Sequence, residues 1–224
     1  MAASHSNTEQ IHTDSFDPSV IKALEAGCAA LQVPVSISQR DQLLKHIQLL
    51  ARWNRKLNLT AIVSPMDMVI HHLLDSIAIN KLVHGNRVLD IGSGGGFPGV
   101  PLAILNPDYQ LTLLDSRGKR IEFLRYVCGV LQLNNAQAIK SRIEDYRPAA
   151  KFDTLVSRAF SSLHDMFQWT RGLHQPGTRL VAMKGKKPVE EIAQLAEVWR
   201  AKIEIVPLSV PSQDAERHAV IIDF

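Results

Sequence analysis

The chain has 224 residues, 46% of them hydrophobic and 21% charged, with a net charge of +3 at pH 7. That length points to one domain, or one domain with a small addition, able to bury roughly 70–75% of its extended-chain surface. No apolar run approaches the ~20 residues that cross a bilayer, and two isolated cysteines, Cys28 and Cys128, give no metal-ligand spacing.

Residues 1–16 are polar, with neither a basic nor an apolar segment, and read as a short flexible tail rather than a secretory signal. Residues 1–17 carry Glu9, Asp14 and Asp17 without a Lys or Arg, so residues 18–224 carry +6. This mild excess is compatible with a nucleic-acid partner but does not require one. Cations gather at Arg52, Arg55 and Lys56, at Arg117, Lys119 and Arg120, and at Lys184, Lys186 and Lys187.

Residues 17–84 read as a helical extension. Leu43, Ile47, Leu50 and Ala51 form a 3.6-period stripe within 36–56, with Ser38 and Asp41 as the predicted start. A second amphipathic helix is predicted over 65–83, with Pro65 in its first turn. His71 and His72 within it suggest no metal, because adjacent helical residues do not share a face and no third ligand is in register.

From residue 85 onward short apolar runs alternate with helical stretches. Strands are predicted at 87–91, 110–114, 136–140, 153–157 and 178–183, and helices near 98–105, 118–132, 161–173 and 187–200. The alternation implies right-handed crossovers and a mainly parallel sheet. Residues 203–210 and 217–224 are joined by "PSQDAE", too short for a parallel crossover, so the last strand pairing is antiparallel. The predicted class is α/β, with a core over 85–224.

Directly after the first strand comes "DIGSGGGFPG" (90–99). Glycines there let a ligand approach the backbone at the carboxyl end of a strand. A phosphate loop needs Gly-Lys-Ser/Thr, and Phe97-Pro98 stands in that place. A dinucleotide register fits Gly94, Gly96 and Gly99, with Asp115 as the acid, and implies a nicotinamide-dependent oxidoreductase. A third register fits Asp90, Gly92, Gly94 and Gly96, the pattern of doubly wound S-adenosylmethionine-dependent methyltransferases. In that reading Asp115, closing the second strand, accepts the ribose hydroxyls. Hydrogen bonds to a charged group are worth roughly 1.5–3 kcal/mol each. A tight structural turn is the plain alternative.

Several stretches together carry a resemblance: "WNRKLNLTAI" (53–62), "HHLLDSI" (71–77), "DIGSGGGFPGVPLAI" (90–104), "LLDSRGKRIEFLR" (113–125), "SRIED" (141–145), "SRAFSSL" (157–163), "MKG" (183–185) and "ERHAVII" (216–222). On these the chain resembles the glucose-inhibited-division protein B family, also called ribosomal RNA small subunit methyltransferase G, from about Ser36 to Ile222. The resemblance implies a class I (Rossmann-like) methyltransferase fold and S-adenosyl-L-methionine as cofactor. The implied reaction is methylation of N7 of one guanosine, of the position-527 type, in 16S rRNA. It also implies Gly92, Phe97, Ile143, Glu144 and Arg158 at the cofactor, to which Gly94 and Asp115 are added from the glycine register and the ribose reasoning.

Motifs the chain lacks point the same way. No Asn/Asp-Pro-Pro-aromatic follows the fourth strand, where "SRAF" stands, which disfavours exocyclic amine methylation. No cysteine ends a strand, which disfavours covalent attack on a pyrimidine. Guanine N7 has a free lone pair and needs no general base, and no catalytic residue is assigned. N7 faces the deep groove of A-form RNA, so the target base lies in a loop or is splayed out. Arg142 and Lys184, at strand ends, are candidates for RNA phosphate. His72 matches the family motif and is a candidate for the substrate side. The expected setting is cytoplasmic and monomeric, with 16S rRNA or the small subunit as partner and no membrane. A non-catalytic RNA-binding protein remains an alternative.

Overall fold

A computed structural model describes residues 16–224 apart from Ala159, Ser161 and Ala201, so the predicted tail lies almost wholly outside the described residues. Two capped helices come first. In α1 (Pro18–Ala30) the Asp17 carboxylate accepts the Ser19 N–H at 2.8 Å, with Pro18 in the first turn. α2 (Ile37–Leu57) is capped by Ser36, two residues before the predicted Ser38. Ser36 and Gln39 cap each other reciprocally there, while Asp41 is held by Arg40. Asn58, at φ 48°, ends the helix in the left-handed region.

The helix predicted over 65–83 is not one regular helix. Short α-helical turns α3 (Pro65–Met68) and α4 (Asp75–Ile77) flank a π-helical turn, Val69–Leu74, and a 3-10 turn follows at Asn80–Leu82. The Asp75 N–H reaches back five residues to the Ile70 carbonyl. The wider turn changes which residues share a face. His71 and His72 both border a cleft, while Asp75 is fully buried.

Seven strands follow: β1 (Arg87–Ile91), β2 (Gln110–Asp115), β3 (Ala136–Lys140), β4 (Thr154–Arg158), β5 (Arg179–Lys184), β6 (Ile203–Pro207) and β7 (His218–Asp223). Their order is β3-β2-β1-β4-β5-β7-β6. β1 to β5 are parallel, and β7 runs antiparallel to both β5 and β6. The crossovers carry α5 (Gly99–Leu105), α6 (Gly118–Val130), α7 (Leu163–Thr170) and the short α8 (Val189–Ala193) and α9 (Glu197–Arg200). The helix predicted over 187–200 is thus two pieces.

Leu89, Leu155 and Leu180 are fully buried in the central strands, as a sheet covered on both faces requires. One apolar cluster joins Leu43, Leu50 and Leu74 of the first helices to Val100 and Phe123. The other joins Leu163, Met166 and Phe167 to Leu89, Leu155 and Leu180. Residues 17–84 therefore cover one face of the sheet. Truncating a fully buried leucine in such a core costs about 2–5 kcal/mol. Strand order reverses between β1 and β4, which opens a crevice at their carboxyl ends. Cys28 and Cys128 are free thiols, and burial pushes both up to about 11.

Candidate functional site

Two clefts open at the carboxyl ends of the strands. The first, about 240 Å³, opens at the ends of β1, β2 and β3 and is called here the glycine cleft. Gly92, Asp115, Ile143 and Glu144 line it, together with Arg142. Gly92 and Gly94 sit at φ +72° and +55°. A Cβ at Gly92 would meet nothing within 4 Å, and one at Gly94 only the Gly92 carbonyl at 3.7 Å. Backbone at these two glycines is therefore open to a ligand. Gly96 and Gly99 differ: a Cβ would lie 2.7 Å from Val100 at Gly96 and 2.3 Å from Leu113 at Gly99. Those two glycines let the loop and α5 pack inward.

Two carboxylates flank the loop. Asp90 is fully buried; its Oδ2 accepts the Gly99 N–H at 3.0 Å, and its Oδ1 has no partner. Burial pushes this carboxyl up to about 7, against the hydrogen bonds that stabilise its charge. Asp115 is engaged instead. It accepts the Gly94 N–H at 3.0 Å, the Arg117 N–H at 2.9 Å and Arg120 at 3.2 Å. A carboxylate offers about four acceptor positions, so about one stays free for a ribose hydroxyl while Arg120 is bound. Both hydroxyls, as expected from the sequence, fit only once Arg120 lets go.

Aromatic rings finish this cleft. Phe160 and Trp169 lie against each other at 5.5 Å and both line it. Neither was singled out by sequence reasoning, since Trp169 arrives from α7 with no local signature beyond an amphipathic helix.

The second cleft, about 880 Å³, lies between the π-helical turn and the ends of β4 and β5, and is called the arginine cleft. Arg158, Lys184, Arg217, His71 and His72 border it. Asp75, buried behind them, accepts Arg217 through both carboxylate oxygens at 2.7 and 2.6 Å, and Arg158 at 3.4 Å. Two cations thus share one buried anion. Arg217 was not selected from the sequence; it stands 142 residues from its partner, and only the fold joins them.

Phe97 packs behind the arginine cleft. Its ring, 3% exposed, stacks with His46 at 4.6 Å and with His72 at 4.7 Å, and the Arg158 guanidinium lies 5.0 Å from its centroid. Phe97 and Arg158, expected at the cofactor, therefore sit on the arginine side of the loop. Arg142, expected at RNA, lines the glycine cleft. Lys184 borders the arginine cleft but is already paired with Glu191 at 2.8 Å.

His46 and His72 are neutral. His46 Nε2–H donates to the Gly95 carbonyl at 2.8 Å, and burial holds the ring near 3. His72 Nε2 meets Thr60 Oγ1 at 2.8 Å and Nδ1 meets the His71 carbonyl at 3.1 Å. A carbonyl only accepts, so Nδ1 carries the proton and Nε2 accepts the Thr60 hydroxyl. Burial, helped by Arg158, lowers this ring to about 4. With Asp75 held by two arginines, neither His72 nor Asp75 is free to take a proton from a substrate.

Open backbone at Gly92 and Gly94, an unpartnered buried oxygen on Asp90 and a remaining acceptor position on Asp115 fit S-adenosylmethionine, which is cationic at one end and carries a ribose at the other. Comparison with known proteins agrees. An O-methyltransferase from Bacillus cereus, crystallised with S-adenosylhomocysteine, superposes with a TM-score of 0.59 at 19% identity, over 91% of this chain and all of that one. That likeness establishes the class I methyltransferase fold. Two curated proteins named ribosomal RNA small subunit methyltransferase G align over most of their length. The one from Idiomarina loihiensis is 44% identical over 85% of this chain and 92% of its own. The one from Vibrio cholerae is 42% identical over 89% and 95%. These relatives are methyltransferases, so the nicotinamide reading is set aside. A family profile described as rRNA small subunit methyltransferase G matches residues 39–220. The chain belongs to the rRNA small subunit methyltransferase G family, and its cofactor is S-adenosyl-L-methionine.

Proposed function

We propose that the protein methylates N7 of a single guanosine, of the position-527 type, in 16S rRNA. The observation that carries this reading is the match to the family over residues 39–220, on a chain whose glycine loop offers open backbone at Gly92 and Gly94. When bound, the cofactor supplies an activated methyl group on a sulfonium, transferred by in-line displacement. Gly92, Gly94, Asp115, Ile143 and Glu144 hold that cofactor, with Phe97 and Arg158 closing its inner side. The arginine cleft takes the guanine, and His72 shapes its wall by packing rather than by charge.

The engaged state of His72 and Asp75 supports N7 as the acceptor. A lone pair that is already free needs no general base, so the protein's work is to bring it to roughly 3–3.5 Å, in line with the bond that breaks. Arg142 and Lys184 contact RNA phosphate, Lys184 after exchanging Glu191 for the nucleic acid. The protein acts as a monomer, in the cytoplasm, on the small subunit or an assembly intermediate of it.

Labelled S-adenosylmethionine tests the reading. The protein is incubated with small subunits from a strain lacking this activity and, in parallel, with protein-free rRNA; nuclease fragments are then read by mass spectrometry. One added methyl on one guanosine is the expected result. No label in either substrate, with S-adenosylhomocysteine still bound, would discard the rRNA assignment and keep the cofactor.

A further inference from the structure

The outer face of α2 carries a feature that neither cleft uses. Between Asp41 and Asp67 the sequence contains no acid and four strong cations: Lys45, Arg52, Arg55 and Lys56. At 100° per residue, Lys45, Arg52 and Lys56 fall within about 40° of one another, with Arg55 about 60° further round. The stripe runs about 16 Å along the helix. Arg52, Arg55 and Lys56 are exposed, and among the described residues none of the four cations forms an ion pair or hydrogen bond. Glu122, the one acid of the neighbouring α6, pairs with none of them. A groove of about 580 Å³ runs along the stripe, lined by Lys45, Arg52 and Arg55. On the flank of the stripe away from Arg55, Trp53 lies 5.3 Å from Tyr126, which is 40% exposed.

Four cations on one face repel one another, and charge left uncompensated in this way fits an anionic partner. The last turn of α2 also reaches the arginine cleft, on the face opposite the stripe. Asn54, in the last turn of α2, exchanges two hydrogen bonds with the Thr60 backbone at 2.8 and 2.9 Å. Thr60 in turn holds His72, and Ala61 to Ser64 line the cleft itself.

We propose that the Lys45–Arg52–Arg55–Lys56 face of α2 is a docking surface for the phosphate backbone of the substrate RNA, outside the methyl-transfer site. This rests on the RNA-methyltransferase reading above. Tyr126, 40% exposed, offers an unpaired base an aromatic ring to stack on.

The test compares the full-length protein with K45Q/R52Q/R55Q/K56Q for binding to small-subunit rRNA over a range of salt concentrations. Affinity for S-adenosylhomocysteine is measured on the same preparations and is expected to match in both, which establishes that the variant is folded. Each neutralised phosphate contributes about 0.7–0.9 to the slope of log affinity against log salt. The quadruple variant is therefore expected to lose about three from that slope and to bind at least tenfold more weakly at about 0.1 M salt. Its KM for rRNA rises while kcat holds. R52K/R55K keeps the charge and is expected to keep the slope. Y126A weakens binding without changing the slope.

An unchanged slope and affinity in the quadruple variant, with the parent binding rRNA, overturns the surface and leaves the RNA reading standing. A parent that binds no rRNA overturns both. Loss of binding to anionic vesicles, with rRNA binding unchanged, overturns the proposal in favour of a lipid surface.

Discussion

Along the glycine cleft, open backbone at two positive-φ glycines does much of the work, and most of the lining comes from the ends of three adjacent strands. In the arginine cleft the working groups are side chains gathered from far apart. Asp75, Arg158 and Arg217 come from a helix and two distant strand regions, 83 and 142 residues from the shared carboxylate. The first cleft leaves room beside its backbone. The second holds cations in place with a buried anion and keeps its histidine neutral. A cofactor used in every cycle suits the first design, and a large anionic substrate that must be placed suits the second.

Breaking the second design costs the most. Asp75→Ala leaves Arg158 and Arg217, whose side chains are about one-fifth exposed, without their buried partner. Such a deletion typically costs about 3–5 kcal/mol, read by urea denaturation. A loss under about 1 kcal/mol would show that solvent already carries these charges.

Breaking the first design should cost less stability and more binding. Gly92→Val places a branched side chain at φ +72° with open space before it. The strain is about 1–2 kcal/mol. Affinity for S-adenosylhomocysteine, measured by calorimetry, should fall well beyond tenfold, the equivalent of about 1.4 kcal/mol. Unchanged affinity would mean that the ligand does not approach this backbone.

A smaller effect sharpens the contrast through pH. Asp90, beneath the glycine loop, has its folded-state carboxyl raised to about 7, from an ordinary 3.8. Its protonated form is favoured in the fold, so its contribution to stability is full below pH 3.8 and lost as pH rises through 7. His46 and His72 act in the opposite sense. Their folded values of about 3 and 4 lie below the ordinary 6.5, so their contribution is present above 6.5 and lost as pH falls. Asp90→Asn should therefore be more stable than the parent at about pH 8, with an advantage that fades towards about pH 4. The same variant should bind S-adenosylhomocysteine more weakly. Equal stability of the two proteins across the range would show that Asp90 is not held protonated by its burial.

The two clefts were also unequally legible in the sequence. Strand–helix alternation placed β1 to β5 within a residue or so, because buried parallel strands are short apolar runs between helical stretches. The "DIGSGGG" run located the open loop, since glycines at a strand end have few other uses. Three things were hidden. The π-helical turn at Val69–Leu74 changes the facing of His71, His72 and Asp75 in a way that a 3.6-residue period cannot express. Arg217 meets Asp75 only because β7 inserts between β5 and β6. Lys184 looked free in sequence and is bound to Glu191, seven residues on, because the chain turns back after β5.

The most direct test of N7 methylation is chemical. Guanosine methylated at N7 becomes open to borohydride reduction, and aniline then cleaves the strand at that base. Small subunits lacking the modification would be treated with the protein and S-adenosylmethionine, and primer extension would map the breaks. A single cofactor-dependent break in 16S rRNA, at the position-527 guanosine, is the predicted result. Methyl label incorporated into rRNA without any aniline-sensitive guanosine would contradict N7 as the acceptor.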